Sequence, residues 1–360
     1  MRVAIVYDRV NKWGGAERIL LALHELFPNA PLYTSVYNPA HASWAKDFNV
    51  RTSFLQSIPF AKEAHEFFPV LMPLAFESFT FADFDLVISV TSESAKGIIT
   101  HPHTRHICYC LTPTRYLWSG YADYFLNPFL RILAFPFVFY LRYWDKIAIS
   151  RPDSIIAISN EVRKRIKKYY REDVPVIYPP LAIDDSGSST RKRGKFFLVV
   201  SRLVPYKRID LAIKACNELQ LPLKIVGTGS QLSMLKSVAG PTVEFVGNLT
   251  DEELVQYYKG CQGLIFPGRE DFGLTILEAQ KYGKPVIALR AGGALETMID
   301  GKTGIFFYPQ TIKALRNALR RFQKKKFDAA ICKKQAAHFS KERFKSEFFS
   351  LIEREEMKKL

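Results

Sequence analysis

Cysteine is scarce in this chain, with five in 360 residues, and those five form no pattern that could staple or metallate it. Cys108, Cys110, Cys216, Cys261 and Cys332 are odd in number, and Cys108-Tyr109-Cys110 has no second pair to complete a zinc tetrad. Free thiols in a reducing compartment are expected. Long apolar runs are missing too. From Tyr124 to Leu141 the only charge is Arg131, but Asn127, Pro128 and Pro136 interrupt the stretch, which is shorter than the roughly 20 apolar residues a spanning helix needs. No apolar leader precedes the first strand-like run in MRVAIVYD, which reads as a cytoplasmic protein. Internal repeats and long low-complexity segments are absent as well.

Acidic residues are the minority. Against 51 Lys+Arg stand 35 Asp+Glu, a formal charge of +16 that favours a polyanionic neighbour: nucleic acid, an anionic membrane surface or phosphorylated small molecules. No helix-turn-helix, zinc-finger or RNA-recognition signature accompanies the charge, so a nucleic-acid-binding protein is the weakest reading. Twelve aromatics between Tyr116 and Trp144 leave two readings open. They either pack helices into a lobe or form an interfacial surface beside Arg131, Arg142 and Lys146. The basic residues of 161–171 read first as a solvated helix face and second as membrane steering.

With 48% hydrophobic and 24% charged residues, a chain of this length suits two globular domains. Two similar beginnings mark them. Val3–Tyr7 is a buried-strand run followed by Gly14-Gly15 and a helix over about 16–27. Residues 196–200 are another, followed by SRLVPYK and a helix over about 209–219. Further strands are expected at 86–90, 106–109, 154–158, 223–226, 243–246, 263–266 and 285–289, alternating with helix-length segments as parallel sheets require. The polar stretch 184–194 is the obvious linker. The expected division is a first lobe over 1–183, a linker over 184–195, a second lobe over 196–335 and a helical tail over 336–360 docking on a lobe. The class is α/β, two Rossmann-like doubly wound parallel sheets facing each other across a cleft.

The most informative segment is Phe266-Pro-Gly-Arg-Glu270-Asp-Phe-Gly-Leu-Thr-Ile-Leu-Glu278. A strand ends, a polar loop follows, and a helix begins near Gly273-Leu274, whose free N–H groups suit a diphosphate. Glu270 in the loop can accept from sugar hydroxyls, and Glu278 can reach a neighbouring part of the same ligand. Each also has a plainer reading, a helix cap for Glu270 or Asp271 and a surface pair for Glu278. Arg202 and Lys207, just past the opening strand of the second half, can meet the same diphosphate as fork and point charge.

These segments resemble family 4 glycosyltransferases of the GT-B fold. Glu270 and Glu278 match that family's E-x7-E motif, and EDFGLTILEAQKYGKPVIALRAGGALETMIDGKTGIFF (270–307) its donor signature. SRLVPYKRID (201–210) is similar to its phosphate segment and GGAER (14–18) to its glycine loop. TSESAKG (91–97) and HICYCLTPTRYLW (106–118) resemble bacterial O-antigen and polysaccharide enzymes, mannosyltransferases among them. The resemblance implies a retaining, metal-independent transfer of a hexose from a GDP- or UDP-sugar, with mannose the first guess. The acceptor would be a glycan or polyprenyl-diphosphate-linked saccharide at the inner face of the cell membrane. In keeping with that, no Asp-x-Asp triplet is expected to chelate a metal-bound diphosphate.

Carried over, Glu270 would contact the transferred sugar and Glu278 the ribose. Arg202 and Lys207 would neutralise the diphosphate, cradled by the Leu274 and Thr275 N–H groups behind Gly273 and approached by Gly15. Gly227, Gly247 and Asn248 would surround the base. The family's first-lobe histidines are missing, since Thr91–Ser94 holds none and Leu111 occupies the other place. Asp8, Glu93 and His106 are the candidate bases, or no protein base exists. Lys96 and Arg115 are expected to face the acceptor. An epimerase or a phosphorylase on the same architecture is the alternative enzyme, though neither acid/base residues at a sugar carbon nor a pyridoxal lysine context is apparent.

Overall fold

The computed structural model describes residues 1–63, 67–121, 127–183 and 194–357, and divides the chain into two units, Met1–Pro180 with Phe344–Leu360 and Leu181–Arg343. Positions 184–193 of the expected linker lie outside the described residues.

Apolar runs buried along their whole length form the strands, because a parallel sheet covered on both faces leaves no solvent side to alternate with. In the first unit β1 (Val3–Tyr7), β2 (Leu32–Thr34), β3 (Val50–Thr52), β4 (Leu86–Thr91), β5 (Arg105–Cys110) and β6 (Ser154–Ala157) pair in the order β3-β2-β1-β4-β5-β6, all parallel. The second unit holds β7 (Phe197–Val200), β8 (Leu223–Val226), β9 (Val243–Gly247), β10 (Gly263–Phe266), β11 (Val286–Leu289) and β12 (Gly304–Phe307). Their order is β12-β11-β10-β7-β8-β9, again all parallel. Strand order reverses between β1 and β4 in one sheet and between β10 and β7 in the other. Crevices at strand C-termini open at such reversal points.

Alternation of side chains divides the second core in two. Phe197, Val199, Ile225, Ile265 and Ile287 meet the helices Ile209–Leu219 and Ile312–Lys324 through Ile213 and Leu315. Leu198, Leu264, Val286 and Ala288 meet the helices Asp251–Gly260 and Leu274–Lys281 through Leu254 and Ile276 on the other face. Helices on both faces hold the sheet, and its C-terminal edge is free for loops.

One local outcome differs from the sequence reading. Pro136 does not end a helix: Pro128–Ala148 is continuous, with the Asn127 side chain accepting from Phe129 N–H (2.9 Å) and Pro128 in the first turn, where its missing N–H costs nothing. Among the described residues no helix is long and apolar enough to cross a membrane. Ala329–Ala337 belongs to the second unit, and the helix Lys341–Met357 lies mostly with the first. There Phe344 and Phe348 pack against Tyr109 (centroids 5.9 and 6.1 Å) and Glu355 pairs with Arg105 at 3.1 Å. The five cysteines are all buried and free, and burial pushes the Cys108 thiol up to about 12. They are packing residues.

Candidate active site

The reversal point of the second sheet gathers the charged residues. β7 ends at Val200 and leads to Arg202 and Lys207, and its neighbour β10 ends at Phe266 and leads to Glu270. The Lys207 ammonium makes an ion pair with Glu270 Oε1, with the lysine side chain 10% and the glutamate side chain 23% exposed. Lys207 Nζ also lies 5.3 Å from the Tyr206 ring centroid, and Arg202 donates to the Tyr206 hydroxyl at 2.8 Å. Two cations and one acid therefore sit around a single tyrosine at the sheet edge.

The loop after β10 closes on the helix Leu274–Lys281 through Gly273, whose N-cap position has φ +91° and no side-chain cap. The N-cap is Gly273, and the Glu270 carboxylate is paired with Lys207. The first N–H groups of the helix have no intrahelical acceptor and point toward the loop, and the helix dipole adds partial positive charge there. Glycines at 292 and 293 back the loop, a feature that spacing did not reveal. Gly293 N–H donates to the Glu270 carbonyl at 2.9 Å, and a Cβ on Gly293 would stand 2.2 Å from Phe272 Cα. The backbone carrying Glu270 is thus clamped from beneath.

Glu278, one turn into the helix, is 4% exposed and accepts from the Tyr258 hydroxyl at 2.6 Å. Its plain reading as a surface pair fails, since the carboxylate is interior. The tyrosine hydroxyl helps fix the orientation of the carboxylate. Gly227 and Gly247 come together at the ends of β8 and β9, where Gly227 N–H donates to the Gly247 carbonyl at 2.8 Å and Thr228 to Asn248 at 3.3 Å. Gly227 has φ +126°, and a Cβ there would lie 2.0 Å from the Ser201 carbonyl, which ties this loop to the Arg202 segment.

At the reversal point of the first sheet the residues are differently employed. Asp8, after β1, is 2% exposed and accepts six hydrogen bonds from the turn after β4. The donors are the Thr91 and Ser92 hydroxyls and the N–H groups of Ser92, Glu93, Ser94 and Ala95. Burial and the nearby Glu93 push its pKa up, while those donors favour the charged form. Asp8 ties two loops together and has no lone pair left for an acceptor proton. Glu93 pairs with Arg9 at 2.5 Å. Arg115 is half-buried, its carbonyl accepting from Trp118 and Gly120 N–H.

Two further first-lobe expectations are corrected. Lys96 is 1% exposed and pairs with Asp145 at 2.6 Å, with further bonds to Thr114 and the Glu93 carbonyl, so it is interior and does not face an acceptor. His106 is fully buried near the N-terminal end of β5, away from the loop edge, and bonds Ser89 at 2.8 Å. Burial, helped by Arg151, lowers its pKa to about 3, so it is neutral at ordinary pH and inaccessible as a base. Glu17 was missed: it follows Gly14-Gly15 in the first turns of Gly15–Leu26, is 3% exposed and accepts from Tyr7 at 2.7 Å. Burial raises its pKa, and a Cβ on Gly14 would lie 3.1 Å from its Oε2. The expectation of no Asp-x-Asp triplet is also corrected: Asp83-Phe84-Asp85 is one, but it lies just before β4, where Asp85 accepts from Arg2 N–H at 2.6 Å.

Residues 183–339 match the family described as Glycosyl transferases group 1. The chain is 30% identical over 198 residues to the D-rhamnosyltransferase WbpZ of Pseudomonas aeruginosa, covering 50% of each chain. It is 29% identical over 198 residues to a GDP-mannose-dependent alpha-(1-6)-phosphatidylinositol monomannoside mannosyltransferase of Mycolicibacterium smegmatis, covering 46% of this chain and 52% of that one. The matches thus span about half the length of such curated relatives. Among solved structures, Anabaena Alr3699/HepE in complex with UDP-glucose superposes with a TM-score of 0.71 at 18% identity, over 98% of this chain and 100% of that one. Two doubly wound sheets with such neighbours make the fold GT-B.

Proposed function

We propose, from the premise that residues 183–339 are a domain of the glycosyl transferases group 1 family, that the chain is a retaining hexosyltransferase of family 4 type. The observation that carries the reading is the Lys207–Glu270 pair beside the start of Leu274–Lys281. A donor diphosphate seats at that helix start on the Leu274 and Thr275 N–H groups. Lys207 and Arg202 neutralise it, and Glu270, exchanging its lysine partner for ligand, accepts from hydroxyls of the transferred sugar. Glu278, oriented by Tyr258, takes the ribose, and the Gly227 and Gly247-Asn248 loops flank the base.

Preorganised charge aimed at the leaving group lowers the barrier most where charge develops. The bond from the anomeric carbon to the phosphate oxygen breaks, its electron pair goes to the diphosphate, and the sugar becomes oxocarbenium-like. The acceptor oxygen bonds that carbon from the same face, and its proton passes to the departing phosphate. Asp8, Lys96 and His106 are all committed elsewhere, which supports the phosphate as base. Lys207, Arg202 and the helix start carry the neutralisation, so the reading uses no metal.

GDP-mannose is the first choice of donor and a UDP-sugar the second. The acceptor is a glycan or polyprenyl-diphosphate-linked saccharide used for cell-surface polysaccharide, met at the cytoplasmic face of an anionic membrane. A thermal-shift panel of GDP, UDP and their sugars tests the donor site. A ligand at a hundred times its Kd stabilises by about 2.7 kcal/mol, which raises a domain of this size by about 5–10 °C. GDP and GDP-mannose are expected to give the larger shift. No shift with either nucleotide would end the proposal.

A further inference from the structure

The helix Pro128–Ala148 carries a surface that donor chemistry does not use. Val138, Leu141, Trp144 and Ala148 form its buried stripe, three or four residues apart as one helix face requires. On its outer side Phe129, Ile132, Phe135, Phe139 and Tyr143 are each between 62% and 71% exposed. Single exposed apolar residues are ordinary, but a contiguous patch marks an interaction site.

Loose packing does not account for this face. Asp145, fully buried on the same helix, accepts from Lys96 (2.6 Å), Thr114 (2.9 Å), Trp118 Nε1 (2.7 Å) and the Tyr170 hydroxyl (2.7 Å). Next to it Trp144 Nε1 donates to Glu77 at 2.7 Å. The inner face is pinned to the lobe by a buried ionic network, and the outer face is thereby held in one orientation.

Cations border the apolar face on one side. Arg131, Arg142 and Lys146 are spaced by eleven and four residues, so they line a single edge of the helix. Arg142 lies over the Tyr121 and Trp118 rings at 4.7 and 5.5 Å, and Lys146 over Trp118 at 5.7 Å. Trp118 in turn stacks on Tyr169 at 5.2 Å, and the helix bearing Tyr169 exposes Lys164, Lys167 and Lys168. A surface cavity of about 420 Å³ opens between Arg131, Arg142, Tyr121, Phe135 and Phe139. Apolar stripe, aromatic seam and cationic edge follow one another in the order that acyl chains, interface and phosphates do.

We propose that Pro128–Ala148 lies in the surface of an anionic phospholipid bilayer, with Phe135 and Phe139 in the acyl boundary and Arg131, Arg142 and Lys146 at the phosphates. The proposal rests on the membrane part of the function above and names the element that makes the contact. A second copy of the chain fits less well, since a two-fold pairing of this face would bring like cationic edges together.

Flotation of the full chain with vesicles tests it, using phosphatidylcholine alone and phosphatidylcholine with about 30% phosphatidylglycerol. Binding to the anionic vesicles is expected to exceed binding to neutral ones by about tenfold or more and to weaken with salt. The double variant Phe135→Ser/Phe139→Ser should lose about tenfold or more in vesicle binding. Its substitutions are on exposed positions, so its melting temperature and its shift with GDP or UDP should match the parent, which separates this proposal from the donor reading. Absent flotation, equal binding to neutral vesicles or undiminished binding by the variant would overturn it. So would a dimer that the double variant dissociates while the parent ignores vesicles.

Discussion

Glu270→Ala and Lys207→Ala are each expected to abolish transfer while leaving the fold intact. Lys207 supplies a positive charge fixed where the leaving diphosphate gains negative charge, and losing one such preorganised group costs about 10²–10³ in kcat. Glu270 acts on the sugar, and the Gly293 N–H clamps its backbone so that the carboxylate is already in place. Stability should barely change. An ion pair with one side chain 23% exposed is screened by water, and such pairs contribute about 0–1 kcal/mol. Lys207→Arg should not restore full rate, because the ammonium is a compact charge beside Tyr206 and a planar fork is not its equivalent. Transfer assays on the purified variants, paired with thermal melts, check both halves of the expectation. Parental activity in either alanine variant would contradict the assignment.

Lys96→Met should destabilise the chain far more than either donor-site substitution, with little direct effect on chemistry. The substitution leaves Asp145 buried at 0% exposure with its ammonium partner gone. Removing one member of a buried pair typically costs about 3–5 kcal/mol, a fall of about 6–20 °C for a lobe of this size. Replacing both partners, as Lys96→Met/Asp145→Leu, should recover only part of that, because Thr114, Trp118 and Tyr170 would lose their acceptor. A melt of Lys96→Met within about 2 °C of the parent would show that Lys96 is not the interior anchor described here. Rate per folded molecule should hold, in contrast with the donor-site variants.

Much of this arrangement was legible in the chain itself. Runs such as Val3–Tyr7 and Gly263–Phe266 are strands because a sheet covered on both faces demands continuous apolar residues. The loops after Phe197–Val200 and Gly263–Phe266 then place Lys207 and Glu270 without knowledge of tertiary detail. Three-residue strands such as Leu32–Thr34 and Val50–Thr52 carry too little signal to read. Pro136 interrupts the apolar stretch in the sequence, yet the helix Pro128–Ala148 runs through it.

Three first-lobe residues were misplaced for another reason. Asp8, Lys96 and His106 have the right chemistry for a base or an acceptor contact, and only their partners reveal that each is spoken for. Those partners lie far along the chain: Asp8 is bonded from 91–95, Lys96 by Asp145, His106 by Ser89. Spacing does not encode such contacts. Gly292 and Gly293 were likewise inside a recognised segment without a role, because what they support is backbone, the Glu270 carbonyl and Phe272.

A structure of the chain crystallised with GDP-mannose or a UDP-sugar tests the central claim most directly. The diphosphate should sit within about 2.7–3.2 Å of the Leu274 and Thr275 N–H groups, with Lys207 turned to it and Glu270 on the sugar. A nucleotide bound elsewhere, with Lys207 still paired to Glu270, would contradict the account.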